Sequence, residues 1–587
     1  MPGFMGPHTC IKTQTDVPIP MRDGVRLYAD IYRPDTEEKV PVLLQRTPYN
    51  KALAANRVMS LDAVRAASHG YAVVIQDTRG RFASEGEFYP FLNEPDDGYD
   101  TVEWCAAQPW SSGKVGMYGR SYVGATQWLA AIARPPSLAA IVPGITASDY
   151  YEGWTYQGGA LAWGFILSWT LNRLALANLG AISRTQYIPP GAREALVQAI
   201  DHMDDSFLHL PLKSYPHLKG PLAPYFYDWI SHPTSDAYWR RWRIEDHWPQ
   251  LTIPALNLGG WHDIFLKGTC RNFVGMRKHG ATPEARTGQR LLIGPWHHST
   301  PFPEVSGEVY FGLAASQGAV DTDALHLRWF DYWLKGIDNG VQSDPPVRIF
   351  VMGANHWRDE QEWPLARTQY RDYYLHSGGR ANTAGGDGLL SQQPPGQEPS
   401  DVYLYDPRHP VPTRGGGLCC GQAFVPGGAY NQQEIEARPD VLVYSTPPLE
   451  SDAEITGPLA LTLYAASSAP DTDFAAKLVD VSPCGCTRNL TDGILRARYR
   501  ESTDTPKLIQ PGQVYCYSID LVATSNLFQK GHRIRLEISS SNFPRFDRNP
   551  NTGKEPWEET ATVPAVQTIF HDPQHPSHLT LPIIPSG

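Results

Sequence analysis

The run Val115-Gly-Met-Tyr-Gly-Arg-Ser-Tyr-Val-Gly-Ala125 decides how the rest of the chain is read. Val115 to Tyr118 is a short, almost continuously apolar segment of the kind that forms a buried parallel strand. Ala125 to Ala133 follows as a helical stretch closed by Pro135-Pro136. Between them Gly119-Arg120-Ser121-Tyr122-Val123-Gly124 must turn sharply, and strand, turn and helix in that order are the setting of a nucleophile elbow. Such a turn strains the serine backbone, lifts its hydroxyl above the sheet, and needs small residues where strand and helix approach. Gly119 is the first of these; the second glycine stands three residues after the serine rather than two, a GxSxxG variant. Taken alone, a serine here would more often be an ordinary helix N-cap.

Reading outward from the elbow, Val17 and Ile19, the turn Met21-Arg22-Asp23-Gly24, and Val25, Leu27, Ala29 and Ile31 alternate as a hairpin does. Val42-Leu43-Leu44 and Tyr71-Ala72-Val73-Val74-Ile75 read as further buried strands. From about Ser148 to Ile244 the pattern becomes helical and rich in Trp, Tyr, Leu and Ala, including Ala192 to Met203, with no convincing strand; this is an inserted helical cap. Strands resume at Ile253 to Leu258 and Leu291 to Ile293, so the α/β part is discontinuous. Beyond about Arg358 short alternating strands such as Leu459-Ala-Leu-Thr-Leu-Tyr464 and Ile534-Arg-Leu-Glu-Ile538 predict an all-β jelly roll or sandwich. Ser377 to Ser400, rich in Gly, Pro and Gln, reads as a mobile surface loop within it. The expected architecture is α/β: an α/β-hydrolase domain in two parts (1–147 and 246–357), a helical cap (148–245) and a C-terminal jelly roll (358–587).

Composition narrows the function. At 587 residues and 41% hydrophobic content the chain is long enough for several cores. A net charge of -11 with no Lys/Arg run excludes phosphate-backbone binding, so no nucleic-acid partner is expected. The start Met1-Pro-Gly-Phe-Met-Gly-Pro7 lacks a basic, apolar leader, and the apolar run around Gly158 to Trp169 carries glycines and is too short to span a bilayer. A cytoplasmic location and no membrane association are the expectation. The eight cysteines match no disulfide framework or paired CxxC spacing. Cys419-Cys420 with Cys484-Gly-Cys486 as a soft-metal site is set aside, because a tetrahedral site needs four converging ligands.

A serine hydroxyl needs a base, and the base an orienting carboxylate. Asp263, in Gly259-Gly-Trp-His-Asp263, follows the strand ending at Leu258; His298, in Gly294-Pro-Trp-His-His298, follows 291–293. The chain order Ser, Asp, His is that of α/β-hydrolases. Each residue has a bland reading: Asp263 could cap a helix, and a histidine near Trp296 could sit satisfied in the core. Spacing does not choose between His297 and His298, and His262 is a further decoy. A metal reading of these histidines with Asp263 lacks an HExxH-type spacing. For the oxyanion, the N–H of Tyr122 is one donor; the loop Gln45-Arg-Thr-Pro-Tyr-Asn-Lys51 has no glycine run but carries the Tyr49 hydroxyl, which reads equally as a buried aromatic with a wet hydroxyl.

Several further motifs recur in order: Pro20-Met-Arg-Asp-Gly-Val-Arg-Leu27, Thr47-Pro-Tyr-Asn-Lys51, Ile75-Gln-Asp-Thr-Arg-Gly80, Phe82-Ala-Ser-Glu-Gly-Glu-Phe88, Ile293-Gly-Pro-Trp-His-His-Ser299, Val351-Met-Gly353, Asp471-Thr-Asp-Phe474 and Ser539-Ser-Ser-Asn-Phe-Pro544. With the Ser121 elbow they resemble the bacterial cocaine esterase family, relatives of the X-prolyl dipeptidyl peptidases and α-amino acid ester hydrolases, over nearly the whole chain. The resemblance implies Ser121 as nucleophile, Asp263 as orienter and His298, the histidine directly before Ser299, as base. It also implies an oxyanion hole of Tyr49 hydroxyl and Tyr122 N–H, and an acyl pocket walled by Trp154, Trp169 and Phe265. In relatives that hydrolyse cocaine a Leu-Phe pair completes that wall where this chain has Cys419-Cys420, which implies a wider pocket. Relatives acting on α-amino acid esters carry carboxylates two and three residues after the aspartate, where this chain has Phe265 and Leu266; an amino-acid substrate is thereby disfavoured. Asp149 and Glu152 read as solvated surface, and Asp77 with Arg79 as a buried ion pair.

The expectation is thus a carboxylic ester hydrolase that forms an acyl-enzyme on a small ester with an apolar or aromatic acyl group, requires no cofactor or metal, and by resemblance forms a homodimer. The alternatives are an amidase or X-prolyl peptidase using the same residues, and a jelly-roll binding protein with a vestigial triad.

Overall fold

The computed structural model describes residues 6–299, 301–421 and 423–585. Most of the N-terminal stretch read for a leader, residues 1–5, lies outside them. Ten strands form the sheet that carries the elbow: β1 (Ile11–Pro20), β2 (Arg26–Pro34), β3 (Val40–Thr47), β4 (Ala72–Asp77), β5 (Ser111–Arg120), β6 (Leu138–Gly144), β7 (Ala255–His262), β8 (Gln289–His297), β9 (Val347–Val351) and β10 (His356–Glu360). Their spatial order is β1-β2-β4-β3-β5-β6-β7-β8-β9-β10. The seven strands from β4 to β9 run parallel. The hairpin β1–β2 and the strand β10 add antiparallel edges.

Both faces of the parallel strands are buried, which is why they read as continuous apolar runs rather than alternating ones. Val42, Leu44 and Met117 enter one core, while Leu43 and Tyr118 enter the other. Helices α1 (Glu94–Ala106) and α2 (Tyr122–Ala133) cover the first face; α4 (Thr322–Lys335) covers the second, and α3 (Leu266–His279) follows β7. Ser121, Asp263 and His298 each follow directly on the C-terminal end of a parallel strand or the turn after it, the rim where open α/β sheets bind their ligands.

The cap packs Trp154, Trp163, Trp169, Trp229, Trp239 and Trp242 into the same core as that first face. It is not purely helical: Tyr156–Gln157 and Ala160–Leu161 form a small hairpin, too short to leave a period-two signal. The apolar run seen in the sequence continues as a 20-residue helical segment, Trp163–Ile182, long and apolar enough to cross a membrane; 61% of its most apolar window is buried inside the protein. Across Trp169–Ala175 this segment widens to π-type turns, a local irregularity frequent at functional sites.

The C-terminal strands form a second, separate sheet system, built around the long antiparallel pair Ala453–Ser467 and Tyr515–Phe528. The Gly/Pro/Gln-rich segment is not simply a surface loop: Leu389–Ser391 joins this sheet, and Ala381 and Leu390 are buried. Backbone pairing, which composition does not encode, holds it there. Residues 357 and 358 both lie within β10, which pairs with the α/β sheet.

Candidate active site

Ser121 has φ 61° and ψ -126°, the strained conformation of an elbow. Its N–H donates to Gly144 O at 2.9 Å, and its carbonyl accepts from Gly124 N at 2.8 Å and Ala125 N at 3.0 Å. Gly119, at φ +135°, has no room for a side chain, since an added Cβ would lie 2.2 Å from Val123 Cγ1. The displaced second glycine has its own steric cause. A Cβ on Gly124 would lie 2.9 Å from both Gly144 O and Thr146 Cβ, so α2 leans on the end of β6 at that residue.

His298 Nε2 lies 3.0 Å from Ser121 Oγ and its Nδ1 lies 2.7 Å from Asp263 Oδ2. A carboxylate accepts only, so Nδ1 carries the proton and the Nε2 lone pair faces the serine. The other Asp263 oxygen accepts the N–H of Phe265 at 2.7 Å, so the carboxylate is held at both ends, and it is buried. Geometry decides what spacing left open. His297 turns the other way, its Nδ1 3.3 Å from Ser306 Oγ, and His262 lies with its Nδ1 3.4 Å from Pro295 O and from Ser306 Oγ. Burial pushes the His262 imidazolium down to about 4, so it is a neutral core residue. No group of three or more potential metal ligands is found among the described residues.

Tyr49 lies in the loop just after β3. Its hydroxyl accepts the indole N–H of Trp169 at 3.1 Å and lies near Ser121. Burial raises its pKa, so the phenol keeps its proton for donation. Tyr122 opens α2, where its N–H has no carbonyl one turn earlier to bond. Its ring is anchored away from the site, the hydroxyl donating to Glu94 Oε1 at 2.9 Å and accepting from Phe91 N at 3.0 Å.

The three aromatics expected to wall an acyl pocket pack against one another beside His298. Trp154 stacks on Phe265 at 4.2 Å between centroids and 9° between planes; Phe265 meets His298 edge-on at 5.1 Å, and Trp169 meets Trp154 edge-on at 5.6 Å. Cys419 and Cys420 pack against the same aromatic core, but not as thiols: they are joined in a disulfide between adjacent residues, which the match to no disulfide framework did not anticipate. A bond between neighbours closes no long loop, so cysteine spacing carries no sign of it. The loop bearing it is closed by paired hydrogen bonds between Gly416 and Gly428. It presses on the site at three points: a Cβ on Gly417 would meet Asp263 O at 3.2 Å, one on Gly421 would meet Ser168 Oγ at 3.3 Å, and one on Gly427 would meet His297 Cβ at 3.5 Å. A separate cavity of about 480 Å³, lined by Trp248, Cys270, Trp363 and Val522, includes none of the triad residues.

Two charge readings are corrected. Asp77 and Arg79 are not partners: Asp77 accepts Lys51 N at 2.7 Å and Ala83 N at 3.3 Å, while Arg79 pairs with Asp97 and Asp23. Successive odd residues beyond a strand end no longer share a face once the chain turns. Asp149 is buried rather than solvated, paired with Arg243 at 3.1 Å and pushed up to about 6 by burial; Glu152 is bound by Lys267 at 2.8 Å.

Sequence reasoning missed Arg81. Its buried guanidinium donates to Pro48 O, Leu174 O and Arg173 O, tying the Tyr49 loop to the cap helix that carries Trp169. A lone arginine after Gly80 gave no signal, because its acceptors are backbone carbonyls distant in sequence.

A parallel sheet with a strained serine at one strand end, relayed through an imidazole to a carboxylate from later strand ends, defines a serine hydrolase of the α/β-hydrolase class. Residues 23–300 match the family model for X-Pro dipeptidyl-peptidase (S15 family), and residues 339–580 match that for the X-Pro dipeptidyl-peptidase C-terminal non-catalytic domain. A cocaine esterase from Rhodococcus sp. (strain MB1 Bresler) is 43% identical, the match covering 97% of this chain and 98% of the relative. The structure superposes on an aminopeptidase from a marine sediment Thaumarchaeota archaeon (TM-score 0.79, 26% identity, covering 100% of this chain and 97% of the other). It also superposes on an α-amino acid ester hydrolase (TM-score 0.78, 26% identity, covering 98% and 96%). The chain belongs to the cocaine esterase family, within the wider S15 group of serine hydrolases.

Proposed function

We propose that this chain hydrolyses small carboxylic esters with an apolar or aromatic acyl group through an acyl-enzyme on Ser121. The observation that carries this reading is the unbroken relay from Ser121 Oγ to His298 Nε2 at 3.0 Å and from Nδ1 to Asp263 at 2.7 Å. Ser121 Oγ attacks the carbonyl carbon as its proton passes to Nε2. The oxyanion takes hydrogen bonds from Tyr49 hydroxyl and Tyr122 N–H. Collapse expels the alcohol, which leaves with the Nε2 proton; water, deprotonated by the same nitrogen, then releases the acid. Asp263 keeps the imidazole in the reactive tautomer and stabilises the imidazolium. These steps call on no cofactor or metal.

Trp154, Trp169 and Phe265 form the acyl wall, with the Cys419–Cys420 disulfide at its rim. The 43% identical relative is named a cocaine esterase, which supports an ester substrate. The aminopeptidase and α-amino acid ester hydrolase neighbours raise an amino-acid substrate as a second reading. Against it, Phe265 and Leu266 stand two and three residues after the aspartate, and Asp149 and Glu152 are already engaged by Arg243 and Lys267 rather than free for a substrate ammonium. We also infer the division into residues 1–147 and 246–357, 148–245 and 358–587, jelly-roll winding of the last, a homodimer, and a cytoplasmic location.

The test is turnover of a chain-length series of p-nitrophenyl esters and benzoate esters, beside the matched anilides and Ser121→Ala. Ester turnover that Ser121→Ala abolishes, with slow anilides, supports the reading. Equal anilide turnover favours an amidase, and a folded protein inert to both returns the binding-protein alternative.

A further inference from the structure

Arg120, the residue directly before Ser121, is buried, yet it has no carboxylate partner, and none of its three guanidinium nitrogens has a hydrogen-bond partner among the described residues. Burial pulls this guanidinium down to about 9. Instead of an anion it faces an aromatic ring: its guanidinium carbon sits 3.8 Å from the centroid of Phe302, close contact for a cation over a ring face. Phe302 in turn lies flat on Trp296, with centroids 4.1 Å apart and planes 1° from parallel.

The stack joins segments that the sheet keeps apart. Arg120 ends β5, and Trp296 lies in β8, two residues before His298; β6 and β7 intervene. Each layer is pinned. Phe302 N donates to Gln317 Oε1 at 3.1 Å and its carbonyl accepts from Gln317 N at 2.9 Å. Trp296 Nε1 donates to Ala315 O at 2.7 Å. Trp296 also packs on β7, where a Cβ on Gly260 would come within 2.4 Å of Trp296 O, three residues before Asp263. At the other end, a Cβ on Gly144, whose carbonyl holds the Ser121 N–H, would meet Arg120 Cγ at 2.8 Å. The stack therefore touches the backbone beside all three members of the relay and none of the reacting atoms.

We propose that Arg120 is a positioning residue: through the Arg120–Phe302–Trp296 stack it holds Ser121 in register with His298 across the two intervening strands. This rests on the reading of Ser121, His298 and Asp263 as the catalytic relay. Because the guanidinium is buried without an anion, its retention costs stability, so position and stability separate. A purely structural core residue would lower both together when removed.

The experiment compares the parent with Arg120→Met, Phe302→Leu, the double variant, the aromatic variant Phe302→Tyr and Ser121→Ala. Measured are kcat and KM on p-nitrophenyl butyrate, the rate of Ser121 phosphonylation by a fluorophosphonate, and Tm. Arg120→Met should lower kcat and the phosphonylation rate by on the order of 10- to 100-fold, with KM little changed and Tm equal to or above that of the parent. Phe302→Leu should show the same kinetic loss, the double variant no greater one, and Phe302→Tyr should stay near the parent. A folded Arg120→Met with kcat and phosphonylation near parental values overturns the proposal, as do losses confined to KM or additive losses in the double variant. If Arg120→Met does not fold, Phe302→Leu alone decides by the same kinetic criteria. Ser121→Ala separates the two levels: inactive Ser121→Ala beside unaffected Arg120 and Phe302 variants rejects only the positioning role, whereas an active Ser121→Ala rejects the relay itself.

Discussion

The indole N–H of Trp169, from the cap, donates to the hydroxyl of Tyr49, from the loop after β3, at 3.1 Å. That bond occupies a lone pair of the phenol oxygen, so the phenol proton stays free for donation to another acceptor near Ser121. Tyr49→Phe should cost roughly 100- to 1,000-fold in kcat while leaving Tm unchanged, since one oxyanion donor is lost and the ring remains. Trp169→Phe should cost less, because the phenol survives but loses its orienting donor. Steady-state kinetics on one p-nitrophenyl ester compares the two, and a near-parental Tyr49→Phe removes Tyr49 from the oxyanion hole.

Asp263→Asn should lower kcat by on the order of 10⁴, because an amide no longer selects the Nδ1–H tautomer. His297→Ala, whose ring turns toward Ser306 rather than Ser121, should retain most activity. The contrast between adjacent histidines is read by comparing His297→Ala with His298→Ala.

Gly119→Ala should fail to fold or lose nearly all activity. A methyl there would lie 2.2 Å from Val123 Cγ1 on a backbone at φ +135° that side chains rarely adopt. Gly124→Ala, with 2.9 Å contacts at a β-strand carbonyl and Thr146, should be milder, destabilising by about 1–3 kcal/mol in urea unfolding.

Replacing the adjacent cysteines, Cys419→Ala with Cys420→Ala, should alter substrate preference more than chemistry. Acetate ester turnover should stay near the parent, and the benzoate-to-acetate ratio of kcat/KM should move by on the order of tenfold. An unchanged ratio would take the disulfide out of the acyl wall.

The share of stability held by two buried histidines should fall on mild acidification. His262 and His326 are buried neutral and pushed down to about 4, against an ordinary value near 6.5. Between those values these two side chains bind more protons in the unfolded chain than in the folded one, so their contribution drops as pH falls from about 6.5 to about 4 and is fully present above 6.5. Each histidine contributes on the order of 3 kcal/mol over that window. Tm against pH should show a shallower acid limb for His326→Leu; an unchanged limb rejects this assignment.

The linear sequence carried what depends on local pattern. The run from Val115 to Gly124 encodes strand, turn and helix within ten residues, and the apolar runs at 42–44, 71–75, 253–258 and 291–293 mark strands buried on both faces. Chain order then limited the base and the carboxylate to residues just beyond two of those strands. The cap's two-residue strands, and the β-pairing of Leu389–Ser391 within a segment of loop-like composition, left no periodic trace.

Tertiary structure decided everything that depends on direction. Whether His297 or His298 faces Ser121, whether Asp77 meets Arg79, and whether Asp149 is wet all turn on how the chain leaves a strand end, where the period of two lapses. The Cys419–Cys420 bond, the Arg81 tie to the Tyr49 loop and the Arg120–Phe302–Trp296 stack likewise had no motif. Sequence reports the period of a side chain along its own element; the partner it meets is fixed by long-range packing, which brings Ser121 and His298 together across 177 residues of chain.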